Sequence, residues 1–198
     1  MKKPQNRFSR KWIGYHRELG SWGIPHVSKL QEAHSPIGRY RIRTNSIGLR
    51  DDREFTPEKD KKHRLLFFGD SFTHGAGIDV EKRFTNLIEE RNDESEIINF
   101  AFPGTGADLQ YLTYSYFANT YDHDEVFFCP HVSNITRCTE FQLVIDGNAD
   151  YVLKKKPFFE LIDGNLKLLN SPTPIGRTKS GNNWELYMKD HNLAGNVK

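Results

Sequence analysis

The reading of the fold turns on Arg64-Leu65-Leu66-Phe67-Phe68-Gly69-Asp70-Ser71-Phe72-Thr73-His74-Gly75-Ala76-Gly77. Leu65 to Phe68 are four consecutive large apolar residues, a run short and bulky enough to predict a parallel strand buried on both faces. Gly69 ends the run and turns the chain, which puts Asp70 and Ser71 at the carboxyl end of that strand. Open α/β sheets bind their ligands outside this edge. A serine hydroxyl is a poor nucleophile until a neighbouring base takes its proton and nearby donors hold the developing oxyanion. Ser71, on a tight glycine turn directly after a buried strand, has the placement that such a nucleophile needs.

Downstream the pattern repeats. Phe84, Leu87 and Ile88 recur at helical spacing with charges between them and predict an amphipathic helix that stops before Asn92-Asp93. Glu96 to Phe100 predicts a second strand, Pro103-Gly104-Thr105-Gly106 a turn, Ala107 to Asn119 a second helix, and Val126 to Cys129 a third, buried strand. Strand, glycine turn and helix in alternation is the pattern of a parallel α/β sheet with right-handed crossovers. Gly104 lacks a side chain, so its backbone N–H can closely approach a substrate oxygen. His131-Val132-Ser133-Asn134 follows the third strand, and the Asn134 amide offers two donors. Three such turns converge on one edge of the sheet.

The flanks are less regular. Residues 1–36 carry Trp, His, Gly and Pro without a sustained period, which predicts an irregular arm with one short helix. Its aromatics Phe8, Trp12, Tyr15 and Trp22 are expected to pack on the main body. Residues 39–43 alternate as a half-buried strand does, and Asn45-Ser46-Ile47-Gly48-Leu49-Arg50 turns away. Glu54 to Arg64 is a charged connector, and Ser133 to Glu140 predicts a helical turn. Phe158 to Ile162 and Leu166 to Leu169 flank Asp163-Gly164-Asn165, a hairpin signal. From Ser171 onward the low apolar content predicts a loose segment.

Composition excludes several classes. The 198 residues carry 28 basic and 26 acidic side chains, so a net charge of +2 provides no global field for nucleic acid or a membrane surface. Lys154-Lys155-Lys156 reads as a solvated face. A mean hydropathy of -0.69 is low for one domain, so part of the chain is expected to be exposed or cut off from its partners. Cys129 and Cys138 are too few for a disulfide framework and point to a reducing compartment. No apolar run approaches the ~18 residues of a membrane helix, and Met1-Lys2-Lys3-Pro4 lacks the apolar centre of a signal peptide. A cytoplasmic chain without a membrane span is the expectation. Gly104-Thr105-Gly106 with Asp124 about 20 residues on partly matches a dinucleotide fingerprint, yet Leu109 holds the third glycine position and Asp124 precedes its strand. A P-loop lacks its Gly-Lys-Ser/Thr. Cys129, His131 and Cys138 have no suitably spaced fourth metal ligand. Asn134-Ile135-Thr136 fits a glycosylation acceptor only in a secreted chain. No cofactor is expected.

In these residues the chain resembles the SGNH (GDSL-type) hydrolases, serine esterases on a flavodoxin-like three-layer α/β/α sandwich with a parallel sheet. Gly69-Asp70-Ser71 is similar to the family's nucleophile block, and the match runs through Phe72-Thr73-His74-Gly75-Ala76-Gly77 to Phe84. Asn99 to Gly104 resembles the glycine block, and Ser133-Asn134 stands where the family places its asparagine. Asn45 to Arg50 is similar to the lead-in of a bacterial subgroup. The resemblance spans roughly residues 39–170. It implies Ser71 as the nucleophile, with the Ser71 and Gly104 N–H groups and the Asn134 side chain as oxyanion donors. Asp70 would be a structural acid that braces the turn. The implied partner is a small-molecule acyl ester, carbohydrate O-acetyl groups among them.

Two departures shape the expectation. The chain has Val132-Ser133-Asn134-Ile135 where the family usually has Gly-x-Asn-Asp. It also contains no Asp-x-x-His, the block that supplies the family's base; Asp190 and His191 are adjacent, and His191 is left unassigned. His131 reads as a packing or hydrogen-bonding residue and His74 as part of the pocket wall. The expected organisation is an amino-terminal arm and lead-in strand over residues 1–50 and an SGNH-like domain over 51–198, incomplete at its carboxyl end and followed in the same domain by a carboxyl-terminal β-hairpin. The alternative is a catalytically inactive fragment or binding module that lacks the general base.

Overall fold

The computed structural model describes residues 12–32, 38–132, 134–139, 142–145, 151–154, 156–173 and 177–179. Where described, the amino-terminal segment is built of strands, which corrects the irregular arm and short helix expected there. β1 (Ile13–His16) and β2 (Gly20–Gly23) form an antiparallel hairpin, and β3 (Ser28–Glu32) pairs antiparallel with β4 (Arg39–Arg43). The short helix is replaced by extended chain because β2 lies flat on the lead-in loop: a Cβ at Gly23 would stand 2.0 Å from the Gly48 carbonyl oxygen. Alternation in β4 buries Tyr40 and Ile42 as expected. Trp22 stacks on Phe102 at 5.0 Å and on Phe117 at 5.3 Å, and its indole N–H donates to the Ile47 carbonyl at 2.8 Å. Trp12 is buried in the same core, whereas Tyr15 is half exposed with its hydroxyl on the Thr173 carbonyl. Phe8 lies outside the described residues.

The decisive apolar run is the centre of a parallel sheet. β5 (His63–Gly69) leads through α1 (Ser71–His74) and α2 (Phe84–Glu90) to β6 (Ser95–Asn99), and α3 (Ala107–Tyr116) leads to β7 (Glu125–Cys129). The strand order is β6-β5-β7 with both pairings parallel. Paired on both edges, β5 is buried, and Phe68 stacks between Phe100 at 5.5 Å and Phe128 at 5.0 Å. The buried strand expected at β7 is not found: among the described residues it pairs with β5 alone, and Phe127 and Phe128 are 38% and 46% exposed. The α2 helix is present, but the face it turns inward is Thr85 and Glu89, while Phe84 and Ile88 are exposed. Polar pairing decides this orientation. The Thr85 hydroxyl accepts from Asn99 at 3.0 Å, and Glu89 accepts from Arg53 at 2.6 Å.

Beyond the sheet come α4 (Asn134–Thr139), β8 (Gln142–Ile145), β9 (Tyr151–Lys154), β10 (Phe158–Ile162), β11 (Asn165–Leu169) and β12 (Arg177–Lys179). The expected hairpin is β10–β11, closed by Asp163 and Gly164 at φ 52 and 76, the left-handed pair that a two-residue type I′ loop requires. β8, β9 and β12 form an antiparallel sheet in the order β12-β9-β8, so the segment expected to be loose after Ser171 carries a strand. Among the described residues no helix is long and apolar enough to cross a membrane.

A buried cation fixes the entry to β5. Arg64 is fully buried, pairs with Glu96 of β6, and donates to the carbonyls of Pro57 at 2.8 Å, Glu58 at 2.6 Å and Asp122 at 3.3 Å. Arg64→Ala strips the charge partner from a buried carboxylate, for which about 3–5 kcal/mol of lost stability is expected. Urea unfolding of the variant beside the parent measures this. A loss below about 1 kcal/mol, the scale of a surface pair, contradicts the assignment.

Candidate active site

The turn that carries Ser71 is bound from inside. Gly69 has no room for a side chain, since a Cβ there would lie 2.2 Å from Thr73 Oγ1. Asp70 is buried: one carboxylate oxygen accepts the Phe72 N–H at 2.9 Å and the other accepts Arg137 of α4 at 3.1 Å. Gly75, at φ 76, ends α1 in the left-handed conformation. Beneath it the Arg50 guanidinium donates to the carbonyls of His74 at 3.0 Å, Gly75 at 2.7 Å and Arg41 at 3.2 Å, and to that of Ile78. The lead-in loop therefore clamps the turn. Ser71 sits on top, half-buried, and its hydroxyl has no hydrogen-bond partner among the described residues.

The other two turns are tied to this one. The Gly69 carbonyl accepts the Phe102 N–H at 3.0 Å and the Thr105 hydroxyl at 3.0 Å, which holds the glycine turn against the Ser71 turn. Asn99 adds a second tie, donating to the Thr73 carbonyl at 2.9 Å while accepting the Ala101 N–H at 3.0 Å. Gly104 lies between at φ 82, a conformation that favours glycine. On the other side His131 stacks on Phe72 at 5.5 Å, and its carbonyl accepts the Asn134 N–H at 2.8 Å. Ser71, Gly104 and Asn134 thus stand on three turns at the carboxyl ends of β5, β6 and β7, the first two hydrogen-bonded to each other and the third held to the first by the His131–Phe72 stack and the Arg137–Asp70 pair. Asn134 is 2% exposed, and neither its amide nitrogen nor its oxygen has a hydrogen-bond partner among the described residues. The Ser71 and Gly104 N–H groups also donate to no group among the described residues.

His74 is not a pocket wall. It is 2% exposed, stacked on Trp12 at 5.3 Å, with both ring nitrogens unpaired. Burial holds its pKa well below the ordinary histidine value, and the nearby Arg50 and Arg83 charges push the same way. The correction has a plain cause: three residues past Ser71, the side chain has rotated round the short helix into the core. His131 is exposed and packs flat on Phe72. Cys129 and Cys138 are free thiols, and Cys138 bonds the Asn134 carbonyl at 3.4 Å. Among the described residues no three His, Cys, Asp or Glu side chains gather as metal ligands. A cavity of about 200 Å³ is lined by Arg41, Arg43, Asp79, Val80 and Glu81, and none of Ser71, Gly104 and Asn134 borders it. Arg43 there pairs with Glu81 at 2.8 Å, and Asp79 accepts the Arg41 backbone N–H at 2.8 Å. Ser133, Asp190 and His191 lie outside the described residues.

Arg50 and Arg137 are the site residues that sequence reasoning missed. Arg50 had a signal, since it closes the Asn45–Arg50 lead-in, but its role depends on the carbonyls of His74, Gly75 and Ile78, 24 to 28 residues away. Arg137 is one helical turn past Asn134, a spacing that acquires meaning only once α4 is placed beside Asp70. Comparison with protein-family models, curated proteins and solved structures finds no match.

The buried His74 makes stability depend on pH in a defined direction. The unfolded chain takes up this proton near pH 6.5, whereas the folded chain does so only well below it. The neutral ring's contribution is whole above that pH and falls by up to about 1.4 kcal/mol per pH unit below it. Between pH 7.5 and 5.5 the parent is expected to lose about 1.4 kcal/mol more in chemical denaturation than His74→Phe. Equal losses contradict a buried neutral imidazole.

Proposed function

We propose that this chain is an SGNH-type serine acyl hydrolase that cleaves small acyl esters, carbohydrate O-acetyl groups among them, through an acyl-enzyme on Ser71. The observation that carries the reading is the buried, unpaired Asn134 amide on the turn adjoining the unpaired Ser71 hydroxyl. Leaving a buried polar group unsatisfied costs about 1–3 kcal/mol, and such groups call for a functional account. A substrate oxyanion is an acceptor that Asn134 Nδ2 can satisfy together with the Ser71 and Gly104 N–H groups. Order supports the reading too: β6-β5-β7 is second-first-third along the chain, the opening of the flavodoxin-like order, and ligands bind where that order reverses. We place the strands in a flavodoxin-like sandwich on this ground. Two free thiols fit a reducing, cytoplasmic setting.

In this mechanism Ser71 Oγ attacks the ester carbonyl carbon, the π pair moves to the carbonyl oxygen, and the three donors hold the charge. Collapse expels the alcohol and leaves an ester on Ser71, which water then hydrolyses. The hydroxyl proton passes to a base. No side chain among the described residues is bonded to Ser71 Oγ, and this favours a second reading, a binding module that uses the same donors without turnover.

Hydrolysis of p-nitrophenyl acetate separates the two. Ser71→Ala is expected to abolish turnover, and Asn134→Ala to lower kcat by about 10²–10³ with little change in KM, the effect of losing one oxyanion donor. Equal rates for the parent and Ser71→Ala overturn the esterase reading in favour of the binding module.

A further inference from the structure

The surface beside Ser71 and Asn134 is apolar. Phe72 is 74% exposed, Val132 83% and Ile135 73%. Phe72 directly follows Ser71, and Val132 and Ile135 bracket Asn134 within three residues. The Ile135 N–H donates to the Val132 carbonyl at 3.3 Å, and His131 stacks on Phe72 with centroids 5.5 Å apart and planes inclined by 16°, which sets the turn carrying Val132 beside the turn carrying Ser71. Single exposed apolar residues are ordinary, but a cluster of large ones at a site marks a surface that binds something apolar.

The position of the cluster narrows what that is. A carbonyl oxygen held by Ser71, Gly104 and Asn134 leaves two substituents to place, the acyl chain and the alcohol. Thr73, His74 and Asn99 of the two adjoining turns are buried, whereas Phe72, Val132 and Ile135 beside Ser71 and Asn134 are open to solvent, so the exposed rim is the surface offered to a chain. The acyl part stays on Ser71 through both half-reactions, and apolar contacts next to Ser71 therefore act on it in each. We propose that Phe72, Val132 and Ile135 form the acyl-binding rim of the site and that, among the small acyl esters the site cleaves, it favours unbranched aliphatic acyl chains over acetyl. This rests on the reading of Ser71 as the nucleophile.

The test is a series of p-nitrophenyl esters from acetate to octanoate, run beside a matching series of alkyl acetates, with the parent, Val132→Ser, Ile135→Ser and Ser71→Ala. In the parent, kcat/KM is expected to rise about twofold to threefold per acyl methylene, short of the roughly fourfold that full burial of a methylene gives. Both rim variants remove apolar contact from the acyl chain, so the ratio of their kcat/KM for octanoate to that for acetate is expected to fall well below the parent's, which flattens the acyl gradient. A gradient absent from the parent, unchanged in both rim variants, or present only along the alcohol series overturns the proposal while leaving Ser71 as the nucleophile. Absence of Ser71-dependent hydrolysis of every ester overturns the nucleophile and the rim together.

Discussion

Gly69 is where the architecture and the chemistry meet. The position must be glycine because Thr73 Oγ1 would lie 2.2 Å from any Cβ, and its carbonyl carries both the Phe102 N–H and the Thr105 hydroxyl. The first condition lets the chain turn tightly enough to set Ser71 at the lip of β5. The second fixes the glycine turn, and with it Gly104, at a set distance from Ser71. A third tie, Arg137 on Asp70, brings in α4 and Asn134. Each tie uses a group that would otherwise be a buried, unpaired donor or acceptor, so satisfying the backbone and assembling the site are one problem.

The turns leave carbonyls aimed inward, and buried guanidinium groups answer them. Arg50 collects four carbonyls from the nucleophile turn and its surroundings, and Arg83 donates to the Arg50 carbonyl at 3.1 Å and to Asp51 at 3.2 Å. Burial pulls Arg83 down to about 10, against the opposing pull of Asp51. The charge is unfavourable there and is retained because five planar donors on one side chain satisfy acceptors that no single neutral residue reaches. The loop between β4 and β5 supplies Arg50, the cation on which the Ser71 turn stands, and so ties the lead-in strands to the core of the sheet.

What the sequence revealed depended on how local the cause was. Leu65–Phe68 and Gly69-Asp70-Ser71 were legible because an apolar run followed by a glycine stop is a property of adjacent residues. The β10–β11 hairpin was legible from Asp163-Gly164 for the same reason. Phe84 and Ile88 misled, because helical spacing specifies a stripe without specifying which stripe is turned inward. The choice was made by Asn99 and Arg53, residues 14 and 36 positions from their partners Thr85 and Glu89. β7 read as buried from Val126-Phe127-Phe128, yet burial also requires neighbours on both edges, and among the described residues it has one. At the site, Ser71, Gly104 and Asn134 were each read from their own turns. The residues that hold those turns together, Arg50 and Arg137, act across long separations and left little trace in local pattern.

The central claim is that Ser71 is a nucleophile placed before an oxyanion site, and covalent capture tests it without assuming a substrate. The chain is incubated with an alkyl fluorophosphonate, its intact mass is measured, and the modified peptide is sequenced by mass spectrometry. The account predicts a single phosphonyl adduct on Ser71, formed more slowly in Asn134→Ala. An unmodified Ser71, or adducts spread over other hydroxyls, contradicts it.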